Sequence, residues 1–341
     1  ETGPYVQYTY ARISSILRKY GKEVTEEINF NNLNDSFDIV KLMSRLNETV
    51  KNLLKTMCQA IVHRGPDDEG IHLDGPVGLG MRRLKVIDLT GGHQPMSNED
   101  GDVWIVFNGE IYNYLELRQR LEQKGHFFKT ASDTETILHL YEEKGEECLD
   151  DLRGMFAFAI WDTGRQKLFL ARDRLGQKPL YYAERNGALI FASELMALMC
   201  DKSISRDWDP LAIDEYLTYL FIPHPRTIYR HVKKLPPASY AIYQGGQFEV
   251  RRYWEARYEP ISERPIEENV EELDALLGEA VELRMRADVP FGAFLSGGLD
   301  SSLVTALMQR ASTQPIKTFS IGFEDSSFNE LKYARQVARL L

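Results

Sequence analysis

The spacing of hydrophobic residues changes along the chain, and each change predicts a different kind of structure. Between Tyr10 and Tyr20 the apolar positions Ile13, Ile16, Leu17 and Tyr20 recur at helical spacing until Gly21 ends the run. An asparagine-rich loop over 28–36 follows, then a second helical stretch with Phe37, Val40, Leu42, Met43, Leu46, Val50 and Leu53. From about residue 70 short β-type runs take over, among them Val103–Phe107, Met155–Trp161 and Leu168–Ala171, separated by glycine turns. Two helices interrupt them. One carries Tyr114, Leu117 and Leu121 before Gly125; the other opens with Ser132 and Glu135 as a capping box and ends near Gly145. This order predicts an α+β layer structure.

Residues 201–265 are rich in proline and aromatic side chains, with Pro223-His224-Pro225 and Pro236-Pro237, and read as a linker or docking region rather than a core. A helix with Leu273, Leu276, Leu277, Ala280 and Val281 then precedes a strand over 289–295, a helix through Leu303, Val304, Leu307 and Met308, a strand over 316–323 and a last helix from about 329. Strand–helix alternation predicts a parallel α/β sheet. The expected divisions are a short helical segment over 1–53, a β-rich domain over 54–200, the linker over 201–265 and an α/β domain over 266–341.

Composition narrows the class. At 341 residues, 43% hydrophobic and 27% charged, the chain has room for two or more domains of ordinary soluble texture. A net charge of −10 argues against a general nucleic-acid or anionic-membrane surface, so any polyanion site must be local. The three cysteines Cys58, Cys148 and Cys200 are widely spaced without metal-ligand spacing, which fits a reducing compartment. No apolar run reaches the length of a membrane span and no secretory signal pattern stands at the start, so a cytoplasmic protein without membrane contact is expected.

The most informative stretch for chemistry is Val289-Pro290-Phe291-Gly292-Ala293-Phe294-Leu295-Ser296-Gly297-Gly298-Leu299-Asp300-Ser301-Ser302. An apolar strand collapses into a glycine pair and hydroxyl residues where a helix begins. Glycines let the backbone approach an anion, hydroxyls donate to it, and the helix start presents unpaired N–H groups. Asp300 would be unfavourable beside phosphate unless a cation such as Mg²⁺ lies between them. The string resembles the pyrophosphate-binding loop of ATP pyrophosphatases.

A second constellation lies upstream: His63-Arg64-Gly65-Pro66-Asp67, Arg82-Arg83-Leu84, Phe107-Asn108-Gly109-Glu110, Ser132-Asp133-Thr134-Glu135, Gly154–Ala159 and Ala171–Tyr182. Taken singly, each suits a turn, a cap or a surface charge. In this order they resemble the glutaminase domain of class II amidotransferases, and joined to the pyrophosphate loop they resemble the asparagine synthetase B family and related amidotransferases of polysaccharide loci. The resemblance covers about 54–341. It implies an N-terminal-nucleophile-type αββα sandwich followed by an ATP-pyrophosphatase domain, with glutamine, ATP, Mg²⁺ and aspartate or a related carboxylate as ligands, and it allows a homodimer. By the same resemblance Arg83 grips the α-carboxylate of glutamine, Glu110 and Asp133 neutralise its α-ammonium, and the Asn108 side chain with the Gly109 N–H forms the oxyanion hole. Leu295, Ser296, Gly297, Gly298, Asp300, Ser301 and Ser302 cradle the pyrophosphate, Asp300 holds Mg²⁺, and Ile321 and Gly322 border the adenine.

The sequence also departs from that family. Its glutaminases open on a cysteine whose free α-amine serves as base, whereas residue 1 is Glu1, and none of Cys58, Cys148 or Cys200 matches the nucleophile's position. The expectation is a sandwich without its first strand, a synthetase domain cut short at Leu341, and no glutaminase turnover. Glu1–Arg12 with Ser14–Lys19 resembles instead the start of the anticodon-binding domain of arginyl-tRNA synthetases, a likeness running to about residue 50. Two further readings follow: a tRNA-interacting module through residues 1–50, and a catalytically dead nucleotide or glutamine sensor.

Overall fold

The computed structural model describes residues 36–185, 187–259, 262–325 and 329–341; the helix and loop expected before residue 36 lie outside the described residues. Two compact units are formed, the first from 36–85, 90–111 and 120–255, the second from 86–89, 112–119 and 256–341.

The first unit holds helix α1 (Ser36–Ala60), strands β1 (Asp68–Asp74), β2 (Val77–Arg83), β3 (Met96–Ser97) and β4 (Val103–Ile111), the C-terminal part of helix α2 (Tyr114–Gln123), and helices α3 (Asp133–Lys144) and α4 (Cys148–Asp151). It continues with β5 (Gly154–Asp162), β6 (Lys167–Arg172), β7 (Tyr181–Arg185), β8 (Ala188–Ala192), α5 (Leu195–Leu198), α6 (Pro210–Tyr219), β9 (Lys233–Lys234), β10 (Ser239–Gln244) and β11 (Gln247–Arg252). Its main sheet is six-stranded and antiparallel, in the order β11-β10-β6-β5-β4-β3.

Strand alternation builds a layer on each side of that sheet. On one face Val106, Ala157, Ala159, Trp161, Leu168 and Leu170 pack with Leu79 of β2, Leu180 and Tyr182, so the β1–β2 hairpin and the β7–β8 strands form a second β layer. On the other face Phe158 and Phe169 meet Tyr141 of α3, with ring centroids 5.7 Å apart for both Tyr141–Phe169 and Phe158–Phe169. The second β layer is two-faced as well. Tyr181, Ile190 and Ala192 turn away from the main sheet towards Leu198 of α5 and Met199 just after it. In β2 the residues that turn away are Gly78 and Gly80: a Cβ at Gly78 would lie 2.6 Å from Leu54 Cδ1 and 2.8 Å from Val50 Cγ1 of α1, and one at Gly80 would lie 3.0 Å from Cys58 Sγ. Missing side chains let α1 sit directly on the hairpin. The layers run helix, sheet, sheet, helix, an α+β architecture.

Two expected boundaries differ from the structure. Helix α1 runs unbroken through residue 53, because its apolar positions continue to Met57 and Cys58, both buried. The stretch 201–265, expected as a linker, contributes β9, β10 and β11, and β10 pairs with β6 from Tyr240↔Ala171 to Gln244↔Lys167. Its prolines at 223, 225, 236 and 237 lie between elements, while Ala241 is wholly buried and Tyr240 packs edge-on to Phe169 at 5.6 Å.

The second unit contains α7 (Ile266–Arg284), β12 (Gly292–Phe294), α8 (Leu299–Ala311), β13 (Lys317–Phe319) and α9 (Leu331–Leu340). β12 and β13 pair in parallel, Gly292 opposite Lys317 and Phe294 opposite Phe319, as alternation predicts, although both strands are shorter than the apolar runs that contain them. Ala293, Leu295, Leu307, Met308 and Ala334 are its buried residues around this pair. No helix among the described residues is long and apolar enough to cross a membrane.

Filling the notch beneath α1 is expected to be costly. Gly78→Val forces Val50 and Leu54 off their positions and lowers stability by about 2 kcal/mol, read as a shift in the urea midpoint at unchanged slope.

Candidate functional site

The first candidate site forms where β4 outruns its neighbour. β3 pairs only with Trp104 and Ile105, so beyond that point the β4 N–H groups facing this edge have no strand to bond. They alternate, and two find side-chain acceptors: Phe107 N donates to Gln94 Oε1 at 2.7 Å and Ile111 N to Asp133 Oδ2 at 2.9 Å. Gly109 lies between them in the same phase. On its opposite side β4 is crowded against β5, where a Cβ at Gly109 would fall 2.1 Å from Met155 O. Across the ladder Phe156 bonds elsewhere, its N donating to Asp173 Oδ2 at 3.1 Å and its O accepting from Asp173 N at 2.8 Å. The Gly109 N–H therefore points to the open edge.

Alternation sends Asn108 and Glu110 to the face that carries Val106, towards the second β layer, and sends Arg83 back from β2 in the phase of Leu79 and Met81. Asn108 Nδ2 is buried and makes no hydrogen bond. A buried amide donor without an acceptor costs a few kcal/mol at most, and such orphans concentrate where a ligand supplies the partner. Arg83 is buried, its guanidinium laid against Gly92, where a Cβ would meet Nη2 at 2.2 Å. The end of β2 is pinned by the His63–Asp67 segment: Asp67 N donates to Arg83 O at 3.1 Å, Asp67 Oδ2 accepts from Lys85 N at 2.9 Å, and a Cβ at Gly65 would collide with the Arg82 carbonyl carbon at 2.3 Å.

Asp133 opens α3 behind its cap Ser132, whose hydroxyl accepts from Thr134 N at 3.2 Å. Burial pushes the Asp133 carboxyl up to about 7, the Ile111 N–H opposes this, the Glu110 charge adds to the rise and Arg83 counters it. Glu110 is also raised, by burial, with Lys178 opposing. Asp133 thus feels the charges of both Glu110 and Arg83, and two partly or fully buried carboxyls so placed suit a cationic group. Of the five residues expected here, Asn108, Gly109 and Glu110 are consecutive on β4, Asp133 is bonded to the next residue's N–H, and Arg83 lies within electrostatic reach of Asp133.

Three supporting residues were not singled out by their sequence roles. Gln94 bridges Phe107 N and Thr134 Oγ1, the latter at 3.2 Å, locking β4 to the start of α3. Gly92 makes room for Arg83. Buried Asp173 accepts from the N–H groups of Phe156, Leu175, Gln177 and Lys178, shaping the loop that carries Lys178. The run Gly91-Gly92-His93-Gln94-Pro95 was the available signal for the first two.

None of the thiols is activated. Burial, then the Glu69 charge, pushes Cys58 up to about 11; Cys148 is raised by burial within an acidic neighbourhood, and Cys200 by burial. Cys58 packs between α1 and β2.

The second candidate site lies in the second unit. Parallel β12 and β13 end side by side, so the segments leaving them, Leu295–Ser302 and Ser320–Gly322, emerge at one edge, as ligand-binding segments of parallel sheets do. Leu295 N bonds Phe319 O at 2.8 Å and Ser320 Oγ bonds Leu295 O at 2.6 Å, tying the two together. The loop is already folded: Ser296 Oγ and Ser301 Oγ are 2.9 Å apart, and Gly298 N donates to Ser296 Oγ at 3.2 Å. Gly297 has φ of +86° and comes so close to α9 that a Cβ would lie 2.5 Å from Ala334 N. Ser302 Oγ is buried without a partner, and Asp300 is exposed in the first turn of α8. A helix start, an orphaned hydroxyl and a free-standing carboxylate are a donor set that fits a phosphate chain with a divalent cation.

A model of the glutamine amidotransferase domain matches residues 39–254, one of asparagine synthase matches 272–341, and one of the DALR anticodon binding domain matches 6–64. The chain is similar to the glutamine-hydrolyzing asparagine synthetase 1 of Bacillus subtilis (strain 168), 44% identical over 292 residues that make up 85% of this chain and 46% of that protein. It is 41% identical over 315 residues to a putative glutamine-hydrolyzing asparagine synthetase 2 of Methanocaldococcus jannaschii, covering 85% of this chain and 60% of that one. A solved structure of the glutamine phosphoribosylpyrophosphate amidotransferase from B. subtilis has 19% identity and a TM-score of 0.45, covering 80% of this chain and 64% of the other. The chain thus spans about half the length of the curated relatives it matches.

The raised Asp133 carboxyl sets a pH dependence. Its ordinary value is 3.8 and its folded value about 7, so between them the folded state keeps a proton that the unfolded state has lost, and stability falls as pH rises through this window. Relative to Asp133→Asn, the unsubstituted chain is expected to lose up to about 1.4 kcal/mol per pH unit between pH ~4 and ~7, measured from denaturant midpoints of both proteins across that range.

Proposed function

Because the chain belongs to the glutamine amidotransferase domain family, we propose that its first unit binds glutamine by the side-chain amide and its second unit binds ATP, the two serving the ATP-dependent amidation of aspartate or a related carboxylate. The observation that carries this reading is the buried, unpartnered Asn108 Nδ2 beside the edge-facing Gly109 N–H. Together they are donors of the kind that stabilise an oxyanion on a polarised amide carbon. Arg83 offers a planar fork to the α-carboxylate, and Glu110 and Asp133, both raised by burial, suit an α-ammonium. On this reading the four layers are an N-terminal-nucleophile-type sandwich.

ATP supplies what the acceptor lacks, since a carboxylate is a poor electrophile until one of its oxygens becomes part of a leaving group. The residues suited to the pyrophosphate are Ser296, Gly297, Gly298, Ser301 and Ser302, with Asp300 suited to Mg²⁺ and Ile321 and Gly322 to the adenine edge. Ser296 and Ser301 hold the loop's shape through their own hydroxyl pair, and Gly297 in its left-handed conformation lets the loop turn close against α9.

Calorimetry on the full chain tests both halves. Glutamine binding is expected, weakened about tenfold or more by Arg83→Lys through loss of the bidentate charge-assisted pair, and binding of ATP with Mg²⁺ is expected to be lost in Asp300→Ala. Absence of both heats overturns the reading. With all its thiols held protonated, protein of this sequence is expected to release no glutamate from glutamine above a protein-free control.

A second reading rests on the match of residues 6–64 to an anticodon-binding domain. A tRNA contact through residues 1–50 predicts salt-sensitive tRNA retention that disappears when residues 1–50 are deleted. Equal retention by both proteins rules it out.

A further inference from the structure

Helix α3 carries a group of side chains that neither proposed reaction uses. His139 and Glu142 lie one turn apart on it, and His126 stands on the loop before it. One potential ligand atom from each lies within 4.8 Å of the others. His139 is 1% exposed, and its Nδ1 lies 2.8 Å from Glu142 Oε2 and 3.8 Å from Glu99 Oε2. His126 Nδ1 is 3.8 Å from the same Glu142 oxygen. A tetrahedral zinc ion with bonds of about 2.0–2.1 Å holds its ligand atoms about 3.3 Å apart. The two Glu142 distances bracket that value, so closure requires only that His126 swing on its loop towards His139.

The outer contacts match those of imidazole ligands. A metal-bound histidine uses one nitrogen for the ion and turns the other to a carboxylate that fixes the ring. His126 directs Nε2 to Glu143 Oε1 at 3.1 Å, and His139 Nε2, buried without a hydrogen bond, lies 3.8 Å from Glu135 Oε1. Glu135 is itself held by Lys129 N and Thr130 N, both at 2.8 Å, and by Thr130 Oγ1 at 2.6 Å. Glu142 is oriented by Asn98 Nδ2, 2.7 Å from its other oxygen. The surplus of carboxylates over imidazoles makes the place attractive to a cation. Without metal a proton meets that need: burial would lower His139, but Glu135, Glu142 and Glu99 outweigh it and raise the ring to about 9.

We propose that His126, His139 and Glu142 bind a divalent ion of the zinc class, with Glu99 within reach as a fourth ligand. Two nitrogens and carboxylate oxygen are a donor set zinc accepts readily, whereas Mg²⁺ and Ca²⁺ prefer all-oxygen surroundings. The ion would fasten the 126–132 loop to α3. Because the buried His139→Gln variant risks misfolding, His126→Gln on the loop is the test.

Untagged full chain is loaded with Zn²⁺, dialysed against metal-free buffer and assayed for retained metal, while Co²⁺ loading is read in the visible spectrum. The expected result is stoichiometric zinc, intense low-coordinate Co²⁺ bands, and a thermal midpoint raised by Zn²⁺. His126→Gln should match the metal-free midpoint of the parent yet bind Zn²⁺ at least about tenfold more weakly. No retained zinc, or equal retention by His126→Gln, overturns the proposal. Neither glutamine nor ATP enters the assay, so failure here is separate from failure of the proposed function.

Discussion

Everything at the first site depends on how β4 satisfies its backbone after β3 stops. A strand edge inside a protein cannot leave its N–H groups bare, and β4 presents them at alternate residues 107, 109 and 111. Gln94 takes the first and Asp133 the last. Each acceptor belongs to a different element, so the two bonds draw the 90–95 loop and the start of α3 against the edge and leave Gly109 framed between them. The sheet is antiparallel throughout, yet its useful donor exists because one partner is too short.

The layers around this edge follow from alternation carried to unusual strictness. In β2 Val77, Leu79 and Met81 belong to the inter-sheet core while Gly78 and Gly80 receive α1, and continuing the phase by one step puts Arg83 between the sheets. A buried guanidinium is tolerable only if its surroundings answer its charge, and the carboxylate of Asp133 lies near enough to feel it. The side chain that packs the hairpin's end therefore also sets the electrostatics of the pocket. Asp173 performs the matching service across the sheet: four backbone N–H groups converge on its carboxylate, fix the loop after β6, and bring Lys178 within electrostatic reach of Glu110.

How much of this was legible in the sequence follows from where the determining forces are local. β4, β5 and β6 announce themselves because Val103–Phe107, Met155–Trp161 and Leu168–Ala171 are β-rich and bounded by turns, and α3 because Ser132 and Glu135 mark its start. The parallel pair in the second unit was legible from alternation, but not its length, which is three residues on each strand. β10 and β11 were hidden by neighbouring prolines, since those residues punctuate loops and say nothing of the strands between them. Arg83, Asn108, Glu110 and Asp133 were legible by resemblance alone; nothing in their spacing brings them together. Gln94 and Gly92 act through contacts distant in sequence, so the run Gly91–Pro95 marks a turn without showing that one of its glycines clears space for Arg83.

On the proposed reading, the first turn of α3 suits the site to a cation. A helix start favours a carboxylate through its unpaired N–H groups, and Asp133 also accepts from Ile111 N, two influences that should keep it ionised. Burial and the Glu110 charge nevertheless win, raising it to about 7. An ammonium group entering between Glu110 and Asp133 reverses that balance, because it adds attraction to the ionised form without removing the bonds already made. On the proposed reading, binding of a zwitterion below pH ~7 exchanges a proton for the ligand's charge, with Arg83 facing the carboxylate end and the Asp133 and Glu110 carboxyls the ammonium end.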